Sequence, residues 1–268
     1  MHRCSSRKKW AKKIFPDDNT EQAEEKLWEA ILDSSRVYND PIKQWEDHND
    51  SIAKKCTYLN SLKLDRLKYR SNNGTNFTVG LIENSQFKGG AGKTVDGVEY
   101  NANIPSEEVF ITPKKGIADG VVVSTKPLCF QSELIEDFTL TFVNGKVTEH
   151  SAKKNGHLLE KMLNMDDGAR FLGECALVPF SSPINKAGFL FYNTLFDENA
   201  SCHLALGAGF NECIDGFEKL TFDECKSLGV NDSIIHEDFM IGSKDMEIIG
   251  IDKNGNEYLI FKNGEWDI

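Results

Sequence analysis

Two short segments of this 268-residue sequence combine histidine with carboxylates in apolar surroundings. In SIIHEDFMIG, His236 and Asp238 are two positions apart, so an extended strand would turn both toward one face and Glu237 toward the other. The segment DENASCH follows the apolar run GFLFYNTLF and carries Glu198 and His203. An imidazole and a carboxylate buried together must be hydrogen-bonded, paired or bound to a metal. A structural His–Asp hydrogen bond in the first segment, and surface charge in the second, are the simpler interpretations.

Further carboxylates stand in apolar sequence at two other places. Glu174 lies within FLGECALVPF, and Glu107 and Glu108 lie within PSEEVFITP. Solvated charges usually occupy exposed loops and helix faces rather than runs of Phe, Leu and Val. Several carboxylates in such runs therefore favour one common site over unrelated surface charges.

The charges of these residues suggest divalent cations. Four carboxylates that converged in a buried site would repel each other and take up protons, whereas two divalent cations would cancel their charge. Six ligands with one bridging carboxylate match a two-metal hydrolytic site with positions left open for water and substrate. Nitrogen and oxygen donors without cysteine admit zinc, cobalt, manganese or magnesium. The candidate ligands are Glu108, Glu174, Glu198, His203, His236 and Asp238.

The elements that must position these residues differ along the chain. Asn19 begins an approximate capping box, and Asp40–Pro41 supplies the N-cap and first position of a second helix. A further helix is predicted near residues 156–164. The second helix is amphipathic, and its predicted buried stripe comprises Ile42, Trp45, Ile52, Cys56 and Leu59.

From about residue 64 the apolar pattern changes to the period of two that is typical of strands. Asn-Gly pairs at 144–145, 254–255 and 263–264 predict tight hairpin turns. We therefore expect an α+β fold in which residues 64–268 form a strand-rich, mixed but largely antiparallel metal-binding domain with packed helices. Residues 1–63 are predicted to be a helical segment that precedes it.

The composition of the chain bears on the partners that the protein can bind and on its location in the cell. The formal charge of −11 excludes a nucleic-acid binder, which needs clustered Lys and Arg. No apolar run approaches the roughly 20 residues of a membrane span. The basic N-terminus lacks the apolar stretch of a signal peptide. Seven scattered cysteines without a CxxC pair favour a reducing compartment, so we expect a cytoplasmic location.

One motif suggests a different function, phosphate binding. Residues 88–94, KGGAGKT, end like a phosphate-binding loop, but the position that requires the first glycine of that motif is Phe87. A polar loop also follows where a helix should begin. A glycine-rich connecting loop explains the segment better than a nucleotide site.

The sequence resembles the M29 family of metallopeptidases from about Trp10 to its end. The matching stretches are WAKKIFPD, EEKLWEAI, NIPSEEVFITP, GARFLGECALVPFSSPI, FYNTLFDENASCHLALG and HEDFMIGS. The resemblance implies an aminopeptidase that acts on peptides with a free N-terminus through two divalent metal ions, with zinc or cobalt favoured, and it implies a possible homodimer. It also implies that the same six residues are the metal ligands and that Glu174 bridges the two ions. Glu107 is the candidate general base because it adjoins Glu108, although alternation on a regular strand would turn it away from the site.

The sequence departs from the family pattern at two points. Family members carry most of an additional α/β domain at the N-terminus, so residues 1–63 are expected to be its helical remnant. After HLALG the family often has a tyrosine thought to contact the reacting group, and Phe210 stands there instead. These departures leave open an alternative function, a non-catalytic relative that is a pseudoenzyme or an interaction module.

Overall fold

The computed structural model describes residues 2–268, with side chains from residue 7 onward, so Met1 of the predicted helical segment lies outside the described residues. The α-helices of this range are α1 (His2–Ile14), α2 (Thr20–Ser34), α3 (Pro41–Ser61), α4 (Gly156–Leu163), α5 (Pro183–Lys186), α6 (Thr194–Asp197) and α7 (Phe222–Leu228). Its strands are β1 (Leu64–Arg70), β2 (Asn76–Leu81), β3 (Gly92–Lys93), β4 (Glu99–Tyr100), β5 (Val109–Ile111), β6 (Pro113–Val123), β7 (Leu128–Phe130), β8 (Glu133–Val143), β9 (Lys146–Lys154), β10 (Leu172–Leu177), β11 (His203–Gly207), β12 (His236–Met240), β13 (Glu247–Asp252), β14 (Glu257–Lys262) and β15 (Glu265–Trp266).

The predicted helix starts in the first third are confirmed by their caps. Asn19 Oδ1 accepts a hydrogen bond from the N–H of Gln22 at 3.0 Å, and the Gln22 side chain returns one to Asn19, which completes the capping box of α2. Asp40 caps α3 ahead of Pro41. The predicted buried stripe of α3 is wrong at Ile42, which is 75% exposed because no element covers the first turn of the helix in the described part of the chain.

Most strands belong to one antiparallel sheet. Its order is β15-β14-β13-β1-β2-β6-β8-β7, and β9 pairs with β8. Two of the Asn-Gly pairs, 144–145 and 263–264, close two-residue hairpins with positive φ at both residues, the geometry of a type I′ turn. The pair at 254–255 lies in the turn between β13 and β14. The predicted α+β class with antiparallel sheets is therefore confirmed.

A second sheet has the order β12-β11-β10-β5, and all its pairings are antiparallel. Its apolar side chains and those of the large sheet form one continuous core; the rings of Phe138 and Phe239, one from each sheet, lie 5.6 Å apart. This small sheet contains or adjoins every segment that carries a candidate ligand.

The first helices pack against the strand-rich part of the chain. Ala11, Ala23 and Leu27 share a buried cluster with Ile184 and other residues of the 184–200 segment. Helix α3 contributes Ile52 and Leu59 to the main core. The division of the chain at residue 63 stays a prediction. Among residues 2–268, no helix is both long enough and apolar enough to cross a membrane.

Candidate metal centre

Three residues form a row across the small sheet. Glu174 of β10 is opposite Ala205 of β11, and Ala205 is opposite Asp238 of β12. Residues in register across a sheet point to the same face, so both carboxylates rise from one face with only a methyl group between them. His236 likewise lies opposite Gly207, which has no side chain. The small residues of the central strand leave room between the functional groups of its neighbours.

The backbone before Glu174 is irregular in a way that directs this side chain. The β10–β11 register shifts between Leu172 and Glu174, so Gly173 is the extra residue of a bulge. A Cβ at Gly173 would lie 1.9 Å from the carbonyl oxygen of Ala208, so only glycine fits this close approach. Bulges commonly re-aim a side chain next to a functional site.

Glu174 belongs to two clusters whose potential ligand atoms lie within 4.8 Å of one another. One cluster contains Glu108 and His203, whose Oε2 and Nε2 atoms are 3.3 Å apart. The other contains His236 and Asp238. His236 Nε2 lies 3.1 Å from Glu174 Oε2 and 3.4 Å from Asp238 Oδ1. The two clusters therefore share one carboxylate.

The remaining two carboxylates come from segments that flank the small sheet. Glu108 directly precedes β5, and Glu198 begins the one-turn 3₁₀ helix Glu198–Ala200 ahead of β11. Glu198 lies outside both clusters, but its charge acts on Asp238 and His203. The structure thus brings all six candidate ligands into one region, five of them within the two clusters.

Both histidines are oriented by backbone carbonyls. His236 Nδ1 donates to the carbonyl of Ala208 at 2.7 Å, and His203 Nδ1 lies 3.3 Å from the carbonyl oxygen of Ser201. In each ring the other nitrogen, Nε2, faces the carboxylates. When the ring is neutral, this arrangement leaves the lone pair on Nε2, which is the form that binds a metal ion.

Burial and mutual repulsion perturb the acidic groups strongly. Burial raises the pKa of Glu174 to about 7, against the opposing effect of its hydrogen bond with His236. Burial together with the nearby charge of Asp238 raises the pKa of Glu198 to about 8. The pKa of Asp238 is held below its usual value, because the adjacent imidazoles of His236 and His203 outweigh its burial.

The surrounding negative charge also raises the pKa values of the two imidazoles, against the effect of their burial. Burial alone would lower the pKa of His203, but Glu108, Asp238 and Glu174 raise it to about 10. For His236, Asp238 and Glu174 outweigh burial and raise the pKa to about 11. The site therefore attracts positive charge, whether protons or cations.

The donor set fits divalent cations. Carboxylate oxygens and imidazole nitrogens without thiolate suit borderline and hard divalent ions. Asp238 Oδ1 is buried, and no group in the described range gives it a hydrogen bond, although two histidine nitrogens lie 3.4 and 4.0 Å away. A buried carboxylate oxygen left without a donor is costly, and a cation would satisfy it.

Phe210 lies beside this cluster. Its ring centroid is 4.8 Å from that of His236 and 5.4 Å from that of Phe110. The backbone N–H of Phe210 donates to Thr112 Oγ1 at 2.8 Å, which fixes the start of the loop after β11. The position that departs from the family pattern is therefore in direct contact with a candidate ligand.

Glu107 occupies a different environment from the six candidate ligands. Its carboxylate accepts two hydrogen bonds from the guanidinium of Arg36, one of them at 2.7 Å. Its backbone N–H donates to Asn199. Among the described residues, no hydrogen bond or ion pair joins Glu107 to the candidate ligands. Sequence reasoning missed Arg36, because nothing local links residues 71 positions apart, and the only hint for Asn199 is its place beside Glu198.

The segment that resembles a phosphate-binding loop has another structure. Gly92 and Lys93 form β3, which pairs with β4 in a small hairpin, and the next helix, α4, begins only at Gly156. This agrees with the interpretation of residues 88–94 as a connecting loop.

Comparison with known proteins places this arrangement in a family. The thermophilic metalloprotease (M29) family matches residues 3–266. The chain belongs to the M29 metalloprotease family. The resemblance predicted from the sequence motifs is thereby confirmed, and the family name agrees with a cluster of carboxylates and histidines suited to a metal ion.

Named M29 relatives are aminopeptidases. The chain is 46% identical over 258 residues to aminopeptidase 2 of Geobacillus stearothermophilus and 44% identical to aminopeptidase AmpS of Bacillus subtilis strain 168. These matches cover 96% of the chain but only 62% and 63% of those relatives. The solved structure of wild-type AmpT from Thermus thermophilus matches with a TM-score of 0.89 and 38% identity, over 97% of this chain and 62% of that one. The chain thus spans about three-fifths of the length of these relatives.

Proposed function

We propose that this M29 chain is a metal-dependent aminopeptidase that removes N-terminal residues from peptides. The observation that carries the proposal is the pair of clusters that share Glu174, because a shared carboxylate is what two neighbouring cations require. The aminopeptidase names of its relatives support the same reaction. The proposed ligands are Glu108, Glu174, Glu198, His203, His236 and Asp238.

Each of the two ions is proposed to have its own ligands in addition to the shared carboxylate of Glu174. Glu174 is proposed to bridge, with Glu108 and His203 on one side and His236 and Asp238 on the other. Glu198 is proposed to complete the ligand set. The set then contains four carboxylates, whose total charge matches that of two divalent cations. The carbonyls of Ala208 and Ser201 keep both imidazoles turned toward the ions.

Divalent cations in this site would polarise the scissile carbonyl and promote the ionisation of water, which are the two needs of peptide hydrolysis. The protein surrounds them with buried apolar strands, which strengthen these electrostatic effects. The aminopeptidase names of the relatives indicate that the site accepts the free amino terminus of a peptide. We therefore propose peptides with a free amino terminus as substrates, and zinc or cobalt as the ions, with manganese or magnesium also compatible with the donors.

The role of Glu107 as general base stays a prediction. In this structure Arg36 contacts both of its carboxylate oxygens. Three other points stay predictions because they concern the whole protein rather than the cluster: a homodimer, a cytoplasmic location and the helical remnant at residues 1–63. The non-catalytic relative, a pseudoenzyme or interaction module, stays the alternative function.

Metal analysis and turnover together test the proposal on the 268-residue chain. The purified protein should bind two equivalents of zinc or cobalt and release leucine from a leucyl chromogenic amide. A chelator should abolish release, and added metal should restore it. Two bound ions without turnover of any free-amino peptide would support the non-catalytic alternative. Activity that survives complete metal removal would contradict the metal-dependent mechanism.

A further inference from the structure

A buried ion pair at Glu107 holds the loop that carries Glu108. Arg36 donates from both terminal nitrogens to Glu107, at 2.5 and 2.7 Å. Only 5% of the Glu107 side chain and 17% of that of Arg36 are exposed. A two-pronged pair of this kind fixes the orientation of a carboxylate as well as its distance. The residue before a candidate metal ligand is therefore locked in place.

The backbone at Arg36 is unusual for a residue with a side chain. Helix α2 ends in a Schellman motif, in which Arg36 N–H bonds to Asp33 O and Val37 N–H bonds to Leu32 O. The φ angle of Arg36 is +54°, a left-handed conformation that glycine normally supplies at this point. An arginine at this position suggests that its guanidinium has a use that offsets the backbone cost.

A tryptophan supports Arg36 from the next helix. The guanidinium carbon lies 5.6 Å from the centre of the Trp45 ring, within the range of a cation–π contact. Trp45 Nε1 donates to the carbonyl of Ser35 at 2.9 Å. Helices α2 and α3 thus fix the guanidinium between them.

Two further side chains hold the same loop. Asn199 is fully buried; its Oδ1 accepts the N–H of Glu107 at 2.7 Å and its Nδ2 donates to the carbonyl of Leu195 at 2.9 Å. His48 donates from Nε2 to the carbonyl of Ser106 at 2.7 Å. Because Asn199 directly follows Glu198, a single amide joins the segments that carry two candidate ligands.

We propose that Arg36, His48 and Asn199, the loop brace, are positioning residues that hold Glu108 and Glu198 at the spacing the metal centre requires. Arg36 then holds the loop through the carboxylate of Glu107. In this role the carboxylate pairs with Arg36 and does not accept a proton. This inference rests on the proposed function insofar as Glu108 and Glu198 are ligands.

The closing experiment uses cobalt(II) as the probe, with a competing chelator and the visible absorption of the bound ion. Arg36→Met and Asn199→Leu should change the cobalt spectrum and weaken the binding of at least one of two cobalt equivalents, by up to the roughly 10- to 100-fold that the loss of a direct partner of a metal ligand costs. Arg36→Lys keeps the positive charge but loses the paired donors of the guanidinium. Its cobalt affinity should therefore lie between those of wild type and Arg36→Met. The matched control is Arg170→Met, because Arg170 is 20% exposed and pairs with Glu160; its cobalt affinity and spectrum should equal those of wild type.

The possible results separate this inference from the proposed function. Wild-type protein that binds no cobalt would overturn both. Two wild-type equivalents with unchanged affinity and spectrum in Arg36→Met and Asn199→Leu would overturn the loop brace alone. If Arg36→Met does not fold, Arg36→Lys decides, and a wild-type cobalt titration in that variant would overturn the brace. Glu107→Gln that keeps cobalt affinity and spectrum but loses the acidic limb of the kcat pH profile would make Glu107 the general base and also overturn it.

Discussion

Glu174 Oε2 lies 3.1 Å from His236 Nε2, although the two residues are 62 positions apart in the sequence. The same carboxylate belongs to a second cluster with Glu108 and His203. One side chain of β10 thus links candidate ligands from the neighbouring strands and from the segment before β5. The following predictions depend on that link.

The Glu174→Gln variant should bind less metal than a variant with any other candidate ligand substituted. An amide carries no charge and cannot bridge two cations as a carboxylate does, so both ions lose a ligand. We expect loss of both equivalents and a fall in kcat/KM of at least about 100-fold, the upper range for losing an outer partner of a ligand. Glu108→Gln should lose one equivalent more readily than the other. Metal analysis after dialysis and leucyl-amide hydrolysis measure both effects.

Glu237→Gln is the matched control for that variant. Glu237 lies between two candidate ligands on β12, but alternation turns it toward the opposite face. Its metal content and kcat/KM should equal those of wild type. Equal metal content in Glu174→Gln and Glu237→Gln would contradict a bridging role for Glu174.

The stability of the metal-free protein should fall as the pH rises. Burial raises the pKa of Glu174 to about 7 and of Glu198 to about 8 from an ordinary 4.5. The folded chain then binds protons more tightly than the unfolded chain, so this contribution is complete below about pH 4.5 and is lost as the pH passes through 7 and 8. The raised pKa values of His203 and His236, about 10 and 11, act in the same direction above pH 6.5.

Thermal unfolding measures this effect directly. The Tm of chelator-treated protein should fall between pH 5 and 9, and Glu198→Gln should make that fall shallower. Zinc should raise the Tm more at pH 8 than at pH 6, because binding requires deprotonated ligands. A larger zinc-induced shift at pH 6 would argue against a site built from these groups.

Ala205→Val should weaken metal binding through crowding rather than through lost chemistry. Ala205 is fully buried between Glu174 and Asp238 in the register of the small sheet. Two added methyl groups would push the carboxylates apart and should also cost about 1–3 kcal/mol of unfolding free energy. Isothermal titration with zinc and chemical denaturation measure the two effects. Ala118→Val, at a buried position of the large sheet, should destabilise without changing zinc affinity; equal affinities in both variants would refute the crowding argument.

Phe210→Tyr should increase the rate of hydrolysis. The Phe210 ring lies 4.8 Å from that of His236, so a phenol at this position would stand beside the metal centre. One hydrogen bond gained in the transition state is worth about 1 kcal/mol, or roughly a fivefold rise in kcat with little change in KM. Steady-state kinetics on the leucyl amide measure it. Phe110→Tyr, on the neighbouring ring, is the control, and an equal rise in both variants would remove the special role of position 210.

Local sequence determined the helix starts, several turns and the class of the fold. The capping box at Asn19, the Asp40–Pro41 start of α3 and the Asn-Gly pair at 144–145 each depend on residues within a few positions, so they could be predicted. Long motifs identified the family. The residue types alone, four carboxylates and two imidazoles in apolar sequence, indicated the chemistry.

Only the tertiary structure decided which groups meet and what holds them. The Glu174–Ala205–Asp238 row follows from strand register, which no local pattern specifies, and the small residue between the carboxylates has meaning only in that row. Ile42 satisfied a helical apolar stripe yet lies exposed, because periodicity does not show where a neighbouring element ends. Arg36 contacts Glu107 because the helical segment folds back on the sheet. Contacts between distant residues depend on how whole elements pack, and that information is spread over the entire chain.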